Sequence, residues 1–340
     1  MRRLLLVVVL LLAAAPAHGR ARLATGTVHA IDASGRDAYA LVDSRDAQRP
    51  LAIVRSDGRR VRRVALVGEP GAEFPDIALA AGGRIVAAWA RAISGGEALA
   101  AARFGWSPYF LPGEPEVLEA GQSTGPAKLA AAGDRAVLAF PDRAGDIATT
   151  ALAGPPAAAV LTADAPAIRH LALDATMGEE GPLVLDLAQR RRRTTLRVLG
   201  PGAPPRAVVS IGGLRHLSGT VAAAGDRVAV AYMSSGRAIL ASSRGGRWTV
   251  RRLPGGGGGE GAPAVGITGG EVFVAYSQKV RSSREILLFG PDGARRLTRG
   301  RGDDRDPVAA TGPRGTAYVA WTRLVRGRAT ALLRRVALVR

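Results

Sequence analysis

The stretch "VAVAYMSSGRAILASSRGGRWTVRRL", Val228 to Leu253, holds three short apolar runs separated by Ser-Ser-Gly and Arg-Gly-Gly. Short runs of β-branched and aromatic residues broken by glycine-containing turns are hairpin signals. The same cadence returns in "IVAAWARAISGGEALAAARFGW", "AVLAFPDRAGDIATTALAG" and "VFVAYSQKVRSSREILLFGPDG". Aligning each unit on the end of the apolar run after a small polar turn gives seven markers: Val42, Trp89, Phe140, Asp186, Tyr232, Tyr276 and Trp321. Their spacings are 47, 51, 46, 46, 44 and 45 residues. Four antiparallel strands in each unit of roughly 40–50 residues make one propeller blade. Helical solenoids share this period, but here Gly and Pro interrupt the apolar runs too often for an amphipathic helix.

Each unit has one internal grammar. An Ala- and Val-rich strand such as "DIALAA" or "DPVAAT" turns tightly into the marked strand. A polar loop, a third strand and often a fourth follow. The fold predicted is all-β: a seven-bladed β-propeller of four-stranded antiparallel blades, at about 26–68, 74–120, 125–163, 168–212, 218–254, 262–299 and 306–340. Positions three before each marker are Tyr39, Val86, Val137, Leu183, Ala229, Phe273 and Tyr318. An odd offset puts them on the opposite face of the strand. Both faces are thus apolar, as a sheet sandwiched between neighbours requires. Asp186 breaks the pattern and predicts an irregular fourth blade. The last unit lacks an obvious fourth strand, and Arg20 to Gly26 is predicted to supply it and lock the ring.

The chain begins MRRLLLVVVLLLAAAPAHG, a basic start, an apolar run and a small-residue exit. That is the layout of a secretory signal peptide over residues 1–19, cleaved near Ala17 or Gly19. The apolar run is short of the ~20 residues needed to span a bilayer. A secreted or periplasmic, cell-envelope location is therefore expected, with no transmembrane span in the mature chain. There is no cysteine; a core of this size needs no disulfide. Formal net charge is +19, and Lys128 and Lys279 are the only lysines beside a great excess of arginine. Such a surface attracts anionic partners, at a strength that falls with salt. Sparse aromatic residues and the export signal argue against specific nucleic-acid binding.

The segment "RRLTRGRGDDRDPVAATGPRGTAYVAW", Arg295 to Trp321, resembles the repeat of TolB-type (WD40-like) propellers through Arg296-Leu297-Thr298, Asp303-Asp304, Pro307 and Gly315. The turn Gly312-Pro313-Arg314-Gly315 departs from that pattern. More loosely, "ASSRGGRW" is similar to a sialidase-type Asp-box in Gly245 and Trp248, with Ala241 and Ser243 in place of its Ser and Asp. Both likenesses cover single repeats and imply the propeller fold. They also imply two alternative functions, an envelope adaptor of TolB type and a sialidase- or glycosidase-like hydrolase. The hydrolase would need a tyrosine paired with a glutamate, but Tyr39, Tyr232, Tyr276 and Tyr318 all fall at core-like positions, leaving Tyr109.

No nucleophile elbow, phosphate loop or zinc-ligand spacing is present. "PGGGGGEG" from Pro254 reads as a flexible inter-blade connection. His170 and His216 lie 46 residues apart, at equivalent places just ahead of innermost strands. The same offset in other units gives Glu73, Glu260 and Arg305. These five residues are expected at the rim of the central channel, where they could meet a metal or an anion. The plainer reading is a duplicated repeat with solvated histidines, and no metal or cofactor is expected. Loops between second and third strands carry Arg190, Arg191, Arg192, Arg193, Arg281, Arg284, Arg326 and Arg328 with few acids among them. Arginine's planar fork suits carboxylate and phosphate. The expectation is a monomeric, non-catalytic binding scaffold whose arginine-bearing face meets an anionic envelope polymer or an acidic protein.

Overall fold

Each marked run becomes the second strand of a four-stranded antiparallel sheet, and seven such sheets stand in a ring. The computed structural model describes residues 20–93, 96–105, 116–153, 159–162, 168–212 and 217–338, so the leader 1–19 and His216 lie outside the described residues. The innermost strands of blades 1 to 7 are Val28–Ser34, Glu73–Ala80, Lys128–Ala132, Ile168–Met177, Ser218–Ala224, Ala264–Thr268 and Asp303–Thr311. Among the described residues there is no α-helix, only a 3-10 turn at Ala81–Gly83. No helix of the described residues is long and apolar enough to cross a membrane.

The second strand of blade 7, Thr316–Val325, shows why the ring holds. Ala317, Val319 and Trp321 pack with Phe273, Ala275 and Leu288 of blade 6. Tyr318 and Ala320 point the other way, to Val28, Ala38 and Val42 of blade 1. Period-two alternation with apolar residues on both faces buries the strand twice over. Trp321 and Tyr318 are fully buried, and each such side chain contributes about 1.5–3 kcal/mol relative to exposure.

Closure uses the two ends of the chain. Blade 7 takes three strands from its own segment, and Arg20–Thr25 adds the fourth on the outside. The register runs from Arg20 opposite Arg334 to Thr25 opposite Thr330. Ala21 and Leu23 are buried with Ala331 and Leu333, whereas Arg20 and Arg22 face solvent. Arginines on this exposed edge discourage pairing with another chain.

Each innermost strand leaves one edge unpaired toward the channel, and its N–H groups need acceptors. Side chains of the preceding blade supply them. Asp32 accepts from Leu79 N at 2.7 Å, Asp76 from Leu129 N at 2.8 Å, and Asp174 from Val221 N at 2.7 Å. Thr220 Oγ1 accepts from Val265 N at 3.0 Å, and Thr322 Oγ1 from Val28 N at 3.2 Å across the closing seam. Between blades 6 and 7 the Ser277 hydroxyl donates to the Asp304 carbonyl at 3.1 Å.

Blade 4 keeps all four strands, with register shifts at His170/Ala172, Leu196/Arg197 and Val198/Gly200, and Asp186, fully buried, is neutralised by His170 Nδ1 at 3.0 Å and Arg197 Nη2 at 2.7 Å. One sequence expectation is corrected. The Gly-rich connection after Pro254 is closely packed. A Cβ at Gly255 would lie 2.0 Å from Gln278 Oε1, and one at Gly259 2.7 Å from the Ser277 carbonyl. Only glycine allows that approach.

Deleting residues 20–26 should lower the melting temperature sharply, since it strips the outer strand from blade 7 and opens the ring. An unchanged melting curve would refute closure by this strand.

Candidate functional site: the arginine turns and the central channel

Second and third strands in blades 4 to 7 are joined by two-residue turns at Arg191–Arg192, Ser235–Gly236, Arg281–Ser282 and Arg326–Gly327. The first residue of each turn is in the left-handed region, with φ of 54°, 51°, 57° and 49° for Arg191, Ser235, Arg281 and Arg326. That conformation favours Gly, Asn or Asp and costs another residue about 1–2 kcal/mol. Three of the four positions nevertheless hold arginine. Arg190, Arg191, Arg192, Arg193, Arg281, Arg326 and Arg328 are all exposed. Among the described residues no carboxylate pairs with any of them.

Arg284 behaves differently from that set. It pairs with Glu260 and, at 3.1 Å, with Asp303, while Arg305 reaches Asp303 at 2.5 Å and Glu260 at 3.7 Å. These four residues tie blade 6 to blade 7 on the same side of the ring as the arginine turns. Arg284, expected to contact ligand, and Glu260 and Arg305, expected on the channel rim, are therefore occupied with one another. Nearby, Asp304 is gripped by Arg323 through two contacts of 2.6 Å and by Trp321 Nε1 at 3.0 Å.

The remaining rim residues separate as well. His170 lies inside its strand, not ahead of it, and its side chain is only 3% exposed. Nδ1 meets Asp186 and Nε2 meets the Gly145 carbonyl of blade 3 at 3.0 Å. Burial alone would lower its pKa, but Asp186 and Gly145 outweigh burial and raise it above the usual value. Glu73 is exposed, and none of Glu73, His170, Glu260 or Arg305 lines the central cavity. Of the tyrosines, Tyr276 donates to the Pro254 carbonyl at 2.6 Å and Tyr318 to that of Arg36.

The channel is lined instead by positions the sequence did not single out. The residues opposite the one before each marker are Ala30, Asp76, Lys128, Asp174, Thr220, Ala264 and Val308. They form one level of a cavity of about 380 Å³, polar along blades 2 to 5 and apolar along blades 6, 7 and 1. Lys128 Nζ stands 3.7 Å from Asp76. Burial would lower its pKa, but Asp76 and Asp174 raise it. Burial pushes the Asp174 carboxyl up to about 7, and that of Asp32, two residues further along blade 1, up to about 6. The only sequence signal for this cluster was the rarity of lysine.

No protein-family profile and no curated protein sequence matches the chain. Solved structures share its fold at low identity. A puromycin-hydrolysing peptidase from Mycobacterium tuberculosis is 11% identical, with a TM-score of 0.53, over 92% of this chain but about half (52%) of its own length. The β-propeller domain of Cps50 (Swd1) from Myceliophteria thermophila is 12% identical over 92% of this chain and 99% of that one, with a TM-score of 0.50. A putative TolB from Agrobacterium tumefaciens is 16% identical over 62% and 74% of the two chains, with a TM-score of 0.40. The Cps50 match agrees with the β-propeller described above, a fold that hosts unrelated activities.

Two titrations follow from these environments. The raised Asp174 pKa means the native state holds a proton that the unfolded chain releases, so stability falls as pH rises from about 4 to about 7. Asp174→Asn keeps an acceptor for Val221 N, and it should raise the melting temperature at pH 8 while changing little at pH 4. His170 is also raised, so its ion pair with Asp186 stabilises fully below pH 6.5 and is lost as pH climbs through the folded value. In His170→Gln the decline of stability above pH 6.5 should flatten, as thermal melts across pH would record.

Proposed function

We propose that this protein is an exported β-propeller binding scaffold whose arginine turns engage an anionic envelope polymer or an acidic protein. The observation that carries this reading is the placing of Arg191, Arg281 and Arg326 at the tips of equivalent turns, in a backbone conformation arginine ordinarily avoids. Strain retained at a surface tip is a mark of function. Arg190, Arg192, Arg193, Arg237 and Arg328 flank those tips, so cationic charge runs along an arc of four adjacent blades. A spread of exposed guanidinium groups suits a ligand with repeated carboxylate, phosphate or sulfate better than one small anion. The basic leader with its apolar run supports export.

Replacing Arg190, Arg191, Arg192 and Arg193 together by Gln removes four exposed contacts. At about 0.2–1 kcal/mol each, affinity for poly-L-glutamate should fall about fourfold or more. The dependence of binding on salt should flatten in parallel. Retention of both affinity and salt slope, measured by titration at several salt concentrations, would overturn this reading.

A further inference from the structure

Blade 4 differs from its neighbours at one strand. Where blades 2, 3, 5, 6 and 7 carry Trp89, Phe140, Tyr232, Tyr276 and Trp321 at the marker, blade 4 has Asp186, followed on the same strand face by Ala188 and Arg190. The antiparallel register sets Asp186 opposite Arg197, Ala188 opposite Thr195, and Arg190 opposite both Arg193 and Ile168. These rows form one face of the sheet. Asp186 replaces an aromatic ring, Ala188 stands where those five blades carry Arg91, Asp142, Ser234, Gln278 and Arg323, and a pocket of about 470 Å³ opens beside Ala188, lined by Ile168, Ala188, Arg190, Arg191, Arg193, Thr195 and Arg197. Among the described residues no acid lines it. Beneath it, Asp186 pairs with both Arg197 and His170.

We propose that this pocket holds one acidic, monosaccharide-sized unit, its carboxylate or phosphate monoester taken by Arg190, Arg191 and Arg193 and its body resting on Ile168 and Ala188. This rests on the arginine-face reading and narrows it to a discrete subsite. The size suits a sugar ring and exceeds what a lone inorganic anion fills. Excess positive charge selects an anion, and the paired guanidinium forks favour a planar or tetrahedral oxyanion. The pocket stays open because the buried Arg197 is pinned to Asp186 through Nε at 2.8 Å and Nη2 at 2.7 Å, which holds it against the floor.

Calorimetric titration with D-glucuronate, glucose 6-phosphate and D-glucose tests the site. Saturable binding of one or both acids with none of glucose supports it, and the acid that binds identifies the oxyanion. Arg193→Gln should weaken that binding about tenfold, whereas Arg60→Gln, at an exposed turn on the opposite face of the ring, should leave it unchanged. Ala188→Trp, checked for folding by its melting curve, should abolish binding by filling the space while keeping every charge. Binding of glucose equal to glucuronate, or full affinity in Ala188→Trp, would overturn the subsite. If neither acid binds while poly-L-glutamate still does, the subsite falls and the arginine face stands. If glucuronate binds and the polymer does not, the reverse holds.

Discussion

The burial of both faces of each second strand is the constraint from which the rest of the molecule follows. A strand such as Thr316–Val325, apolar on its odd and its even positions alike, has no stable place at the surface of a two-layer protein. It needs a sheet on either side, and those sheets need theirs. An open stack would end on exposed apolar faces, so the arrangement closes into a ring. Arg20–Thr25 supplies the outer strand of the last blade, and the ring thereby joins the start of the folded chain to its end.

Closure creates a second demand at the centre. Seven inner strands present unpaired N–H groups to the channel, and short acceptors reaching from the preceding blade meet several of them. Three of those acceptors are the aspartates 32, 76 and 174. Burial in the channel raises two of the carboxyl pKa values, repulsion from Asp76 adds to it, and Lys128 opposes the rise at Asp174. The polar wall of the channel is thus first a device for stitching blades, and its unusual protonation is a consequence of that duty. Charge on the face of the arginine turns obeys a different rule. There Glu260 and Asp303 bind Arg284 and Arg305 to fasten blades 6 and 7, and Asp304 holds Arg323 within blade 7, while arginines at the turn tips stay exposed.

Asp186 shows how the two levels meet. In sequence it was an interruption of an apolar pattern and suggested an irregular fourth blade. In the ring it anchors a buried triad with His170 and Arg197, and a pocket opens beside Ala188, the next residue on its strand face. Of the two histidines spaced by one repeat, His170 lies within its strand, and His216 lies outside the described residues. A β-bulge between His170 and Ala172 shifts the register and draws the imidazole to Asp186.

Sequence alone determined the number of blades, the strands within them, the apolar character of both strand faces and the use of the first strand for closure. All of these are written in period, alternation and turn residues, which depend only on near neighbours in the chain. Tertiary structure alone decided which charges are spent. Arg284 and Arg326 sit in similar loops and look alike in sequence, but one faces Glu260 and Asp303 from neighbouring segments and the other faces water. Lys128 became part of a cluster only when blades 2 and 4 set Asp76 and Asp174 on either side of it. Electrostatic partners about 50 residues apart are chosen by ring geometry, and no local pattern in the chain encodes that choice.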